Sequence, residues 1–150
     1  MSELNVRMVK LEAMDVYAAH GFGPEPEGLA WQAMTDWMKK NNVSGPQRFF
    51  GFNNPNPTVG SPNYGYEVWM AAGESTLPEG DLERKHFDGG LYAVAHCKGV
   101  EAIPGVWREL VAWRENSPYK SASHQWLEEH FNTNAADVSE WEFDLYMPVK

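Results

Sequence analysis

The sequence predicts an α+β fold built by tandem duplication. Two β-β-α-β-β modules supply about eight strands in an antiparallel sheet and two main helices. Three observations lead there. The phrase WQAMTDW at 31–37 returns as WRELVAW at 107–113, with both tryptophans displaced by 76 positions. At that offset AAHGFGPE (18–25) falls on VAHCKGVE (94–101), matching Ala19 to Ala95, His20 to His96, Gly23 to Gly99 and Glu25 to Glu101. After a one-residue slip, YEVWM (66–70) falls on FDLYM (143–147), aromatic on aromatic, acid on acid and Met on Met. FFGFNN (49–54) falls on WLEEHF (126–131) more weakly. The repeats run over 4–72 and 81–149 of a single domain covering 1–150.

Each element follows from its local pattern. VRMVKLEA and DVYAAHGF are β-like stretches separated by a short break. EGLAWQAMTDWMKKNN is a helix, since Trp31, Met34 and Met38 recur at helical spacing and Trp37 widens the apolar stripe. GPQRFFGFN and YGYEVWMAA are strands flanking the turn-rich NNPNPTVGSPNYG. The second half supplies the strands LERKHF and LYAVAHC, then the helix IPGVWRELVAWREN with Pro104 in its first turn. The strands HQWLEEHF and WEFDLYMPV follow. Two helices cannot cover both faces of eight strands. The uncovered middle, along the pseudo-twofold, is the expected place for a groove.

Composition narrows the function. The 150 residues include seven Trp, seven Phe and six Tyr, a heavy aromatic load suited to cores and ligand cavities alike. The net charge of −9 is the wrong sign for a phosphate-binding surface, so nucleic acid is not an expected partner. A single cysteine, Cys97, excludes an internal disulfide and a multi-cysteine zinc site, and fits a reducing compartment. The first residues, MSELNVRMVK, hold no apolar signal region, and no run reaches the length of a membrane span. The expected setting is cytoplasmic, away from any membrane. His124, His130 and nearby acids show no metal-ligand spacing, and no nucleophile elbow, phosphate loop or dinucleotide fingerprint occurs. Neither metal nor cofactor is expected.

Strand alternation proposes a site. In YEVWM, Tyr66, Val68 and Met70 form an apolar face suited to packing on a helix, which turns Glu67 and Trp69 the other way. In FDLYM, Phe143, Leu145 and Met147 pack inward, which turns Asp144 and Tyr146 outward. In WLEEHF, Glu129 spoils the face of Leu127 and Phe131, leaving Trp126, Glu128 and His130 as the opposite set. Trp69, Tyr146 and Trp126 around Glu128, with Glu67 and His130 beside them, would make an acid-floored aromatic cavity. Such a cavity suits a lipophilic aromatic or cationic small molecule. The helix tryptophans Trp31, Trp37, Trp107 and Trp113 read as core.

With its two turns HGFGP and HCKGV, Trp-bearing helices, GGLYAVAH, WLEEHF and closing DLYMPVK, the whole chain resembles the GyrI-like small-molecule-binding family. That family includes the gyrase-inhibitory protein and the effector-binding domains of AraC-type and MerR-type regulators. The resemblance implies a curved, tandem β-rich repeat around a central ligand groove. It also implies a stand-alone module, since 150 residues leave no room for the regulators' DNA-binding segment. A family strand reads apolar-Glu-x-Tyr, with the Glu in the groove. The matching stretch here is Leu127-Glu128-Glu129-His130, which makes Glu128 the family acid and puts His130 where Tyr is usual.

The leading function the resemblance implies is multidrug-type binding of lipophilic, often cationic aromatic compounds. An alternative is hydrolysis of cyclopropane-bearing electrophiles, as some stand-alone members perform. Glu128 would then activate water and Tyr146 would position the carbonyl. A further alternative is a protein partner, as in gyrase inhibition.

Overall fold

The computed structural model describes residues 4–73, 76–131 and 137–150. Among the described residues, eight strands and two α-helices appear in the expected order: β1 (Val6–Leu11), β2 (Met14–Gly23), α1 (Pro26–Lys40), β3 (Phe49–Asn53), β4 (Tyr64–Ala71), β5 (Glu83–Phe87), β6 (Gly90–Lys98), α2 (Ile103–Glu115), β7 (Leu127–Phe131) and β8 (Glu142–Pro148). All the strand pairings described are antiparallel. The fold class is α+β, as the sequence predicts. Among the described residues, no helix is long and apolar enough to cross a membrane.

The chain condenses into two compact units whose boundaries differ from those of the repeats. One unit is the contiguous Met14–Phe87, and the other joins the residues up to Ala13 with Asp88–Lys150. Within the contiguous unit the strand order is β3-β4-β2-β5, and within the split unit it is β7-β8-β6-β1. The first strand of each repeat therefore pairs with the second strand of the other. β1 lies beside β6 and β5 beside β2. Glu12 and Ala13, the two residues between β1 and β2, close the first stretch of the split unit, and Met14 opens the contiguous one.

Registers in the two units are equivalent, position by position. Leu11 faces Gly90 across β1–β6, and Phe87 faces Met14 across β5–β2, each partner displaced by 76. Val68 faces Ala19, and Leu145 faces Ala95, so β4 and β8 carry the slip to 77. Phe50 faces Trp69, and Leu127 faces Tyr146, which extends the offset of 77 to the weakly matched β3 and β7.

Each sheet packs one face on its helix. In the contiguous unit Tyr17, Ala19, Tyr66, Val68 and Met70 form a core with Ala30, Met34 and Trp37 of α1. In the split unit Ala93, Ala95, Cys97, Phe143, Leu145 and Met147 gather with Leu110 of α2. The deepest line on α1 is Ala30–Met34–Trp37, with Trp31 and Met38 on its flanks. Trp37 lies 4.6 Å from the Tyr17 ring, and its indole N–H donates to the Pro78 carbonyl at 3.0 Å. Trp31, Trp107 and Trp113 are partly buried against these cores. Pro26 opens α1, and Lys39 and Lys40 close it, where their charge suits the negative end of the helix dipole. Gly21 brings β2 close beneath α1, for a Cβ there would sit 2.3 Å from the Pro26 carbonyl oxygen.

Candidate functional site

The sheet faces turned away from the helices are also buried, and they carry acids. In the contiguous unit Val16, Ala18, Phe50, Phe52, Glu67, Trp69 and Phe87 share this face, all buried. Glu67 is 2% exposed, and its carboxylate is held by three donors. The Trp69 indole N–H donates to Oε2 at 2.6 Å, the Lys85 ammonium to the same oxygen at 2.9 Å, and the Asn54 amide to Oε1 at 3.2 Å. These three donors offset part of the cost of taking the carboxylate out of water. Trp69 is walled by Phe52, edge-on at 4.9 Å, and by Phe87 at 5.3 Å. Asn54 reaches Glu67 because Gly65 has no side chain. A Cβ at Gly65 would lie 1.9 Å from the Asn54 carbonyl oxygen.

In the split unit the corresponding face holds Tyr92, Val94, Leu127, Glu129, Asp144 and Tyr146, all buried. The Tyr146 hydroxyl donates to Glu129 Oε1 at 2.7 Å. The Tyr92 ring meets Tyr146 edge-on at 5.4 Å, and its hydroxyl donates to the Gln125 carbonyl. Burial pushes the Tyr92 phenol above its usual pKa. Further along, Asp144 takes Arg7 on one oxygen and His96 Nδ1 at 2.8 Å on the other. His96 Nε2 lies 2.9 Å from Glu142. The hydrogen bond to Asp144, reinforced by that to Glu142, raises the His96 pKa.

The placement of the expected residues divides cleanly. Glu67 and Trp69 lie on the face alternation assigned them, in contact with each other, and Tyr146 lies on the equivalent face of its unit. Trp126, Glu128 and His130 do not share that face. Directly opposed residues in an antiparallel pair project to the same side, and Glu128 opposes Leu145, while His130 opposes Phe143. Both partners belong to the core beneath α2. Trp126 accordingly packs edge-on against Trp107 of α2 at 5.3 Å. His130 packs on Phe143 at 5.1 Å, and burial lowers its pKa to about 4. Glu128 is therefore not the acid beside Tyr146. Glu129, one residue on, takes that place, and the same correction separates the Glu128–Tyr146 pair expected for hydrolysis.

Sequence reasoning missed Glu129, Lys85 and Asn54 as partners. Glu129 was hidden by two consecutive acids, because alternation cannot choose a face when both neighbours carry the same group. Lys85 reaches Glu67 over β2, and no local signal announces a contact spanning two strands. Among the described residues, no group of three or more His, Cys, Asp or Glu side chains is placed to hold a metal. An open depression of about 380 Å³ lies at the β1 edge of the split unit, lined by Leu4, Val6, Arg7, His96, Val106 and Glu109 among others. Its Arg7 and His96 side chains are already engaged by Asp144, and no Phe, Trp or Tyr is among its described lining residues.

Known proteins agree with this architecture. Residues 7–149 match the family described as Cass2, integron-associated effector binding protein. No curated protein matches the sequence. The EcmrR C-terminal domain superposes with a TM-score of 0.74 at 16% identity, over 99% of both chains. In the EcmrR–DNA complex the chain covers only 57% of the EcmrR polypeptide. A hydrolase from Listeria innocua matches with a TM-score of 0.65 at 13% identity, over 100% of this chain and 94% of that one. SAV2435, solved bound to tetraphenylphosphonium, matches with a TM-score of 0.58 at 11% identity, over 98% and 94%. At these identities the superpositions speak for the fold, and the family match speaks for descent. The chain belongs to the integron-associated effector-binding protein family and has the GyrI-like fold.

Proposed function

We propose that this protein binds lipophilic, cationic aromatic small molecules at an acid–aromatic sheet face, carried by Trp69–Glu67 in the contiguous unit and by the equivalent Tyr146–Glu129 in the split unit. Membership of an effector-binding family supports small-molecule binding in general, and a protein of similar fold is known with tetraphenylphosphonium bound. The observation that carries the finer reading is the burial of Glu67 and Glu129 on largely apolar and aromatic sheet faces, each hydrogen-bonded by an aromatic side chain. An aromatic face attracts a cation by roughly 0.5–1 kcal/mol when exposed and about 2 kcal/mol or more when desolvated. A buried carboxylate adds charge complementarity without demanding directed donors from the ligand. Affinity then follows area and charge, which suits a permissive binder.

Titration with tetraphenylphosphonium, followed by tryptophan fluorescence, tests this. Saturable binding is expected, weakened in Glu129→Gln and in Trp69→Ala. No binding by the native protein, or affinities indifferent to both substitutions, refutes it.

A hydrolytic reading is supported by the Tyr146–Glu129 hydrogen bond and by the similar fold of a hydrolase from Listeria innocua. Glu129 would take a proton from water as its oxygen bonds to the strained carbon of a cyclopropane. The ring bond breaks, its electron pair moves towards the adjoining carbonyl, whose oxygen Tyr146 steadies, and the enolate carbon then takes the proton back from Glu129. Product analysis decides, since turnover must exceed buffer and vanish in Glu129→Gln.

A further inference from the structure

We propose that Lys85 is a built-in counter-ion that a cationic ligand must displace from Glu67, and that it thereby sets which cations the protein accepts. This rests on the reading of Glu67 as a recognition carboxylate. The Lys85 ammonium lies 2.9 Å from Glu67 Oε2, and its side chain is 34% exposed against 3% for the acid. A second acid is within reach, since Glu83 Oε2 lies 3.9 Å from the same ammonium, and the Glu83 side chain is 71% exposed. Lys85 thus has a buried partner and an exposed alternative on its own strand.

The architecture does not require this lysine. Lys85 faces Val16 in β2, and the position related to it by the 76-residue offset is Val9, which faces Tyr92. One repeat thus places a charge where the other places a methyl-bearing side chain. Nor does Glu67 depend on Lys85 for its position, because Trp69 and Asn54 hold the carboxylate with neutral donors.

The exchange favours one class of cation. An alkylammonium is compact and strongly hydrated, so Lys85 recovers much of its pairing energy on returning to water beside Glu83. A small hydrated cation gains nothing over Lys85 at Glu67. A large cation with diffuse charge loses little hydration and gains the aromatic walls of Phe52, Trp69 and Phe87. Lys85 therefore excludes hydrated ions and yields to lipophilic ones.

Calorimetric titration of the full chain with tetraphenylphosphonium and with neutral triphenylphosphine oxide tests the idea. Lys85→Gln removes the charge and leaves an amide donor on a shorter side chain, and the neutral ligand controls for the space this opens. The variant is expected to bind the cation roughly tenfold more tightly, the lower end of measured close charge-pair couplings, with affinity for the neutral oxide unchanged. That gain is expected to disappear when Glu67→Gln is added. An equal gain for both ligands would mean a steric opening and overturns the proposal, as does no gain for the cation.

A second measurement needs no variant. Tetraphenylphosphonium is expected to speed labelling of Lys85 by an amine-reactive reagent, and unchanged or slower labelling overturns the displacement. If the native protein binds no cation, the functional reading itself fails. If it binds, and Glu129→Gln weakens binding while Glu67→Gln and Lys85→Gln both leave it unchanged, only the role of Lys85 falls.

Discussion

Tyr146 donates its hydroxyl proton to Glu129, while the neighbouring Glu128 projects from the opposite face of the same strand, in line with Leu145. Two adjacent acids of identical chemistry thus serve different environments. The distinction has a direct consequence for binding. Glu129→Gln is expected to weaken tetraphenylphosphonium binding by roughly tenfold or more, and Glu128→Gln to leave it unchanged. Parallel calorimetric titrations of the two variants provide the check, and the reverse ranking would restore Glu128 as the recognition acid.

The approach of β2 to α1 should be intolerant of a single methyl group. In Gly21→Ala the new Cβ would press on the Pro26 carbonyl and the Ala30 amide, at 2.3 and 2.8 Å. Both are backbone atoms and cannot turn aside. A loss of about 2 kcal/mol or more in urea unfolding is expected.

Leu110 is the sole fully buried residue described on α2 and packs among strand residues of the split unit. Leu110→Ala should cost about 3 kcal/mol, through lost transfer energy and the cavity left behind. Equilibrium unfolding measures it, and a loss under about 1 kcal/mol would show that the site collapses around the gap.

Two histidines should give stability opposite dependences on pH. His96 has a raised pKa, with its hydrogen bond to Asp144 as the main cause, so its pairing contributes fully below the unfolded value of 6.5. That contribution fades as pH rises through the folded value. Half of the His96 side chain is exposed, which keeps the contribution small. Proton NMR should place its titration above 6.5, and Asp144→Asn should bring it down.

His130 behaves in the contrary sense, because burial lowers its pKa to about 4. Between that value and 6.5 the unfolded chain takes up a proton that the folded protein excludes. Stability therefore falls as pH drops through this window. His130→Gln should remove that part of the acid sensitivity, seen by comparing urea unfolding at neutral pH and at about pH 5.

Much of this molecule was legible in the sequence by itself. The doubled tryptophan phrases supplied the offset, and the registers of the two units reproduce it from β1 to β8. The helix-packed faces of β4 and β8 followed from alternation, because Tyr66-Glu67-Val68-Trp69-Met70 and Phe143-Asp144-Leu145-Tyr146-Met147 each have one wholly apolar side. Helical spacing placed the Trp37 side of α1 in the core.

Tertiary structure alone decided three things. The pairing of β1 with β6 and of β5 with β2 has no local signature, since an edge strand's pattern describes a half-buried surface and not the neighbour that buries it. The face of Glu128 against Glu129 depended on register, since a one-residue slip inverts every side chain and Trp-Leu-Glu-Glu-His-Phe has no clean apolar side to forbid it. The charge balance at Glu67 was settled by Lys85, which reaches across an intervening strand. Sequence periodicity reports which way a side chain points from its own strand. Only the assembled sheet determines what it meets there.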